Sequence, residues 1–232
     1  MRKILFSLLL ITYSCAPTRF VKPLEKNQHA VTASFGGALT KVPGVAVIPI
    51  PNTSLGYGYG VTNTTTLYGS WYSTAAIFGV FQMDAGITQL VWKDTTKHMG
   101  VTVSPGINFM VDVFEKNART WPQLDANYYF DYHLSQAKKR NGRDQSRTNT
   151  LYLGMSNWIE LQSTRAHEVD QANRIIFSPQ IGHIFERNKW SFSTELKFLA
   201  PYTRNTEIVV DYFSAFKGRG ALGFYMGLSY KF

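Results

Sequence analysis

The sequence predicts an all-β protein: a single antiparallel transmembrane β-barrel of about ten strands, preceded by a signal peptide and a short tether. Three observations lead there. Apolar residues recur at every second position through most of the chain, the period of a strand rather than a helix. Charged residues make up only 17% and aromatics reach 15%, whereas soluble domains carry about 25% charged residues. The alternation also runs out to the last residue in "ALGFYMGLSYKF", where Leu222, Phe224, Met226, Leu228, Tyr230 and Phe232 alternate with small or polar residues. Mean hydropathy is −0.15, and after Ile11 no apolar run approaches the roughly 20 residues a spanning helix needs. A bundle of membrane helices is therefore excluded, while spanning strands are not.

The amino end comes first. "MRKILFSLLLITYSCAPTRF" has a basic start at Arg2 and Lys3, an apolar core from Ile4 to Ile11, and small residues before Cys15. This is the pattern of a secretory signal peptide over residues 1–14. Cys15 is the only cysteine, so an intrachain disulfide is excluded. Its position after the apolar core resembles the lipidated cysteine of bacterial lipoproteins, although Thr12 and Tyr13 stand where stricter versions of that motif have Leu and Ala. Ordinary cleavage nearby, with Cys15 incidental, is the alternative. Residues 16–28, "APTRFVKPLEKNQ", hold two prolines and several charges and predict a tether, so that 15–28 form lipidated cysteine and tether and 29–232 the barrel.

Strands follow in order. "HAVTASFGGAL" sets Val31, Ala33 and Phe35 against Thr32, Ser34 and Gly36. "TSLGYGYGV" sets Leu55, Tyr57, Tyr59 and Val61 against three glycines, and "TTLYGSWY" follows a short turn at Thr62 and Asn63. The fourth strand carries Phe81, Met83, Ala85 and Ile87, and the fifth Val101, Val103, Pro105, Ile107, Phe109 and Val111. The sixth, seventh and eighth are set by Leu124 to Tyr132, Leu151 to Leu161 and Ile175 to Ile181. Trp190, Phe192, Leu196 and Phe198 mark the ninth, and the carboxy-terminal stretch is the tenth. Eight or twelve strands bracket this count.

Connection lengths separate a membrane barrel from a soluble sandwich. With a periplasmic amino end, the turns near Thr62–Asn63, Asp94–Lys97 and Arg187–Lys189 are short and fall on one side. Longer segments near Phe114–Thr120, Gln162–Asn173 and Ala200–Gly220 fall on the other, the outer-membrane arrangement. "QAKKRNGRDQSRT" (136–148) breaks the rule: it is long yet periplasmic, so either it has a role there or the strand count before it is off by one.

The terminal Phe232 fits closure of the last strand on the first and an aromatic at the membrane interface. The run Tyr225, Gly227, Tyr230, Phe232 resembles the carboxy-terminal signal by which bacterial outer-membrane barrels are recognised for assembly. On "SCAPTRFVKPLEKNQHAV", running into a glycine-rich first strand and "IPIPNTSLGYGYGVT", the chain resembles a group of uncharacterised barrel-type outer-membrane lipoproteins from Bacteroidota. That resemblance implies the bacterial outer membrane as location and a barrel as fold; it implies no activity.

Three clusters hold residue types that could carry chemistry. Asp131 and His133, with Asp84 on another strand, resemble the Asp-x-His of ten-stranded omptin-like proteases, but the opposing Asp-x-Asp is missing because position 82 is glutamine. His133 and Ser135 resemble the His-x-Ser of outer-membrane lipid A deacylases, where histidine activates serine; glutamine follows where that family has asparagine. His167 to Asp170, "HEVD", offers a histidine and two carboxylates in an outer loop, without a second cluster to complete a metal site.

Inward charges have a structural role available. A ten-stranded barrel is narrow and filled by side chains. Asp84, Asp112, Asp125, Asp131, Glu160 and Glu195 then need partners such as Lys197 and Lys231, giving a polar network that blocks flow. The net charge is +9, or +7 once Arg2 and Lys3 leave with a leader. The basic residues are scattered, so nucleic acid is not an expected partner. The expected protein is a non-enzymatic outer-membrane lipoprotein without cofactor or metal, contacting outer-membrane lipid and lipopolysaccharide and serving as accessory subunit of an envelope complex. Its basic segment (Lys138, Lys139, Arg140, Arg143, Arg147) suits such a partner. A lipid hydrolase or a narrow small-solute channel is the alternative.

Overall fold

The computed structural model describes residues 20–42, 46–114, 116–135, 147–162, 174–204 and 212–232, with the side chains of Val42 and of His133 to Ser135 outside that description. Eleven strands form: β1 (His29–Val42), β2 (Ala46–Pro49), β3 (Asn52–Thr62), β4 (Thr65–Tyr72), β5 (Val80–Asp94), β6 (Met99–Asp112), β7 (Asn117–Ser135), β8 (Arg147–Ile159), β9 (Ile175–Arg187), β10 (Trp190–Arg204) and β11 (Arg219–Lys231). Ten of them, all but β2, make a closed antiparallel barrel, because β11 pairs with β1 from Ala30↔Lys231 to Ala38↔Gly223. Closure satisfies every edge, the condition for crossing lipid with strands.

Each of the ten expected strands is present. The additional strand β2 is a four-residue hairpin arm that folds onto the distal part of β1, from Leu39↔Pro49 to Val42↔Ala46. Because the strands before residue 136 are those expected, the long connection between β7 and β8 does fall on the same side as the start of β1 and the end of β11. The part of it at 136–146 lies outside the described residues.

Alternation along the strands sorts side chains by solvent, and the sorting is inverted relative to a soluble protein. Outward-facing Leu55, Ile107 and Leu153 are at least half exposed, whereas Thr66, Thr88, Thr102, Asn108, Asn127 and Lys197 are buried inside. No soluble domain gains by exposing leucine and burying threonine; a barrel surrounded by hydrocarbon does. The chain is an integral membrane barrel.

Two ends can be distinguished. The terminal end carries the start of β1, the carboxy-terminal Phe232 and the tight turns after β3, β5 and β9. The distal end carries the β1–β2 hairpin and a short helical turn, Ser73–Ile77. At the terminal end Phe232 N donates to His29 O at 2.9 Å and His29 N donates to Phe232 O at 3.0 Å. The Phe232 ring stacks on His29, with centroids 5.6 Å apart. Trp190 packs against Tyr230 at 4.8 Å. Tyr230 and Phe232 thus belong to an outward aromatic rim, of the kind that sits at a membrane interface.

Candidate functional site: the terminal end of the lumen

Strand β3 presents Gly56, Gly58 and Gly60 to the lumen, where most inward positions carry a side chain. The space so made is occupied. A Cβ at Gly58 would lie 2.4 Å from the Phe20 ring, and one at Gly60 would lie 1.9 Å from the Glu25 carbonyl oxygen. Residues 20–28, expected as part of a tether, run inside the barrel mouth as a strap against these glycines. Phe20, Val21 and Leu24 are each less than a tenth exposed. Phe20 and Leu24 pack with Ala30 and Tyr68, and Val21 packs with Tyr129 and Tyr152. The physical reason is local: three apolar side chains in a segment of one proline and several charges are enough to enter a lumen that offers them aromatic neighbours.

The strap has no regular structure of its own, so its backbone groups need partners from the wall. Fully buried threonines on three consecutive strands supply them. Thr66 Oγ1 on β4 accepts from Leu24 N at 2.7 Å, Thr88 Oγ1 on β5 donates to Phe20 O at 3.2 Å, and Thr102 Oγ1 on β6 donates to Val21 O at 2.8 Å. At the mouth, Asn27 N donates to Gly60 O at 2.8 Å and Gly60 N donates to Gln28 O at 2.9 Å. Asn27 takes a positive φ of 62° there, which asparagine tolerates better than most residues.

Lys22 crosses to the opposite wall. Its ammonium donates to Asp131 Oδ1 at 3.0 Å, Thr150 Oγ1 at 2.9 Å and Glu186 Oε2 at 3.0 Å, so all three of its donor directions are used. Lys231 donates to the other oxygen of Glu186 at 2.6 Å. Two cations and two carboxylates therefore close one neutral cluster. Burial alone would lower the Lys22 ammonium, but the charges of Glu186 and Asp131 outweigh it and hold the group above its ordinary value of 10.5. Beside the strap lies a cavity of about 810 Å³, lined by Lys22, Asp131, Glu186 and Lys231 and by a wall of hydroxyls that includes Ser193 and Ser229.

Deeper in, a second polar layer links β6 to β10. Lys197 and Glu195, both buried, pair at 3.5 Å, and Tyr152 Oη donates to Glu195 at 2.6 Å. Asp125 lies within electrostatic reach of both and accepts from Gln123 Nε2 at 2.9 Å on each oxygen. Gln123 in turn accepts from Asn108 Nδ2 at 2.9 Å, and Gln180 Nε2 donates to Asn127 Oδ1 at 2.7 Å.

The residues named from sequence are thus divided among several places. Asp125, Glu195 and Lys197 share the deep layer. Asp131 and Lys231 belong to the terminal cluster, whose other members, Lys22 and Glu186, were not anticipated. Asp84 accepts from Tyr72 Oη at 2.7 Å toward the distal half, away from Asp131. Asp112 Oδ1 caps the turn after β6 by accepting from Phe114 N at 2.9 Å. Glu160 lies one residue past β8 and accepts from Gln162 N at 3.2 Å, so it is a loop residue and no part of the lumen layer. Tyr225 and Gly227 face inward, Tyr225 fully buried, while Tyr230 and Phe232 face out.

His133 and Ser135 stand at the terminal end of β7, and a register shift between Tyr132 and Ser135 interrupts the period that would align them. Their side chains, together with Cys15, His167 to Asp170, Lys138, Lys139, Arg140 and Arg143, fall outside the described residues. Among the described residues no three histidine, cysteine or carboxylate side chains converge as a metal site would require.

No family model matches the chain, and no curated protein matches its sequence. Similar solved structures are barrels. LpxR from Salmonella typhimurium aligns over 88% of this chain and 99% of its own at 7% identity, with a TM-score of 0.45. The translocator domain of the autotransporter NalP from Neisseria meningitidis aligns over 91% of each chain at 11% identity, with a TM-score of 0.41. Ail, the attachment invasion locus protein of Yersinia pestis, aligns over 89% of this chain and 99% of its own at 10% identity, with a TM-score of 0.26. With TM-scores below 0.5 these likenesses decide nothing about role.

Proposed function

We propose that this chain is a non-enzymatic barrel of the bacterial outer membrane, lipid-anchored through Cys15, acting as a structural or accessory interaction subunit of a larger envelope complex. The observation that carries the proposal is the filled lumen. The strap with its ion cluster occupies much of the terminal end, beside the cavity of about 810 Å³, and the layer around Lys197, Glu195 and Asp125 fills part of the middle. A lumen occupied by side chains at two levels favours neither a general porin nor a narrow channel, and its function then belongs to its rims and loops.

The terminal rim supports an acidic partner. Lys26, Lys93, Lys97, Arg147, Arg187 and Lys189 are all exposed around the mouth, and the segment 136–146 adds Lys138, Lys139, Arg140 and Arg143 in sequence. Such a field steers and holds an anionic surface, more strongly at low salt. The test is a mild-detergent pull-down of tagged protein from its native membrane. A stoichiometric envelope assembly, lost when the rim lysines and arginines are exchanged for glutamine, is the expected result; recovery of the protein alone under every mild condition sinks the proposal.

A further inference from the structure

The contacts of the strap are those of a bound peptide rather than of a sheet strand. Its backbone is held by threonine hydroxyls on β4, β5 and β6. The long cationic side chain of Lys22 enters a socket built from β7, β8 and β9. The Phe20 ring lies over Gly58, where any side chain would collide with it. The cavity of about 810 Å³ beside the strap leaves room for the segment to come and go. We propose that the terminal end of the lumen is a binding site for an extended, lysine-bearing polypeptide, filled in this chain in cis by residues 20–25.

Specificity follows from the groups present. Asp131, Thr150 and Glu186 converge on one ammonium, with Lys231 neutralising the second oxygen of Glu186. The Leu24 subsite is apolar, shared with Phe20, Ala30 and Tyr68. A ligand therefore needs a lysine, an apolar residue two positions on, and an extended backbone that offers two carbonyls and one N–H to the threonines. The covalently attached segment enjoys an effective concentration on the order of millimolar, so a free peptide at micromolar concentration displaces it only after the cis contacts are weakened.

The experiment uses the full chain, as wild type and as Lys22→Met, in detergent, with folding followed by heat-modifiable migration. The probe is a fluorescent synthetic peptide of residues 20–28, "FVKPLEKNQ", and its counterpart with methionine in place of the first lysine. Wild type is expected to bind neither. Lys22→Met is expected to bind the lysine peptide at least about tenfold more tightly than the methionine peptide, the ratio that charge-assisted hydrogen bonds supply. Equal binding of the two peptides overturns the proposal, as does binding of neither by the variant, whether or not protease finds its strap released. If Lys22→Met does not fold, Phe20→Ala takes its place, since it vacates the space over Gly58 without disturbing a charge. A failed pull-down leaves this result untouched, because the peptide assay needs no other protein.

Discussion

Lys22 is the residue on which the terminal end depends. Three acceptors on three strands converge on its ammonium, and two of them are carboxylates. Because its folded-state value lies above the ordinary 10.5, the stability it contributes is fully present below that value and is lost as pH rises through the higher folded value. Protease cleavage of the strap should therefore begin only above about pH 10.5 in wild type, whereas Lys22→Met should be cleaved across the whole range. A strap equally resistant in both proteins at pH 8 would disprove the latch. Lys197 makes a complementary case in a drier place. Lys197→Met removes the buried cation that Glu195 and Asp125 face and should cost about 3–5 kcal/mol, read as a lower urea midpoint in detergent. Adding Glu195→Gln should recover part of the loss, because the uncompensated charge is removed with its partner.

Strand β3 shows how a whole element is shaped by what lies against it. Glycine is a poor strand former and weakens a sheet, yet three of its inward positions are glycine. The strap explains Gly58 and Gly60 directly, since each lies under one of its atoms. Gly60→Val should expel the mouth of the strap while leaving the barrel closed, because the collision is with Glu25 O and the β3 ladder itself is unaffected. Heat-modifiable migration should persist while a cysteine placed at position 24, buried behind Gly60 in the native strap, becomes reactive to a membrane-impermeant thiol reagent in a Cys15→Ser background. An unreactive cysteine in that variant would mean that the glycines serve some other purpose. Strand β11 is the converse: its small inward residues, Gly223 and Gly227, make room for neighbouring side chains of the wall, Tyr225 and Ser193.

For the molecule as a whole, the two plugs act in series. Each links several strands through the lumen at its own level, so removing one leaves the other in place. Planar-bilayer recordings should accordingly show no discrete conductance for wild type or for Lys22→Met, and porin-sized steps from wild type would contradict the filled lumen. The bilayer supplies the solvent for the outer face, and the two polar levels replace water for the inner one. The large outward side chains need no further partner, since hydrocarbon covers them.

The fold could be read from the sequence because it rests on properties that are local in the chain. A period of two, repeated through ten segments, is visible residue by residue, and so are the short turns and the terminal aromatic. Most of the inward charges were visible for the same reason, as positions of one parity, although Glu186 was missed and Glu160 lies past the end of its strand. Which of them meet was not, since partnership depends on register and shear between strands far apart in sequence: Lys22 reaches Glu186 across 164 positions. The strap was hidden for a related reason. Phe20, Val21 and Leu24 stand among prolines and charges, and composition averaged over the segment spells a linker. Only the closed barrel supplies what turns that linker into a bound segment, a lumen with glycines at positions 58 and 60 and threonines on three adjacent strands. Periodicity is a property of neighbours along the chain, whereas a binding site is a property of neighbours across it.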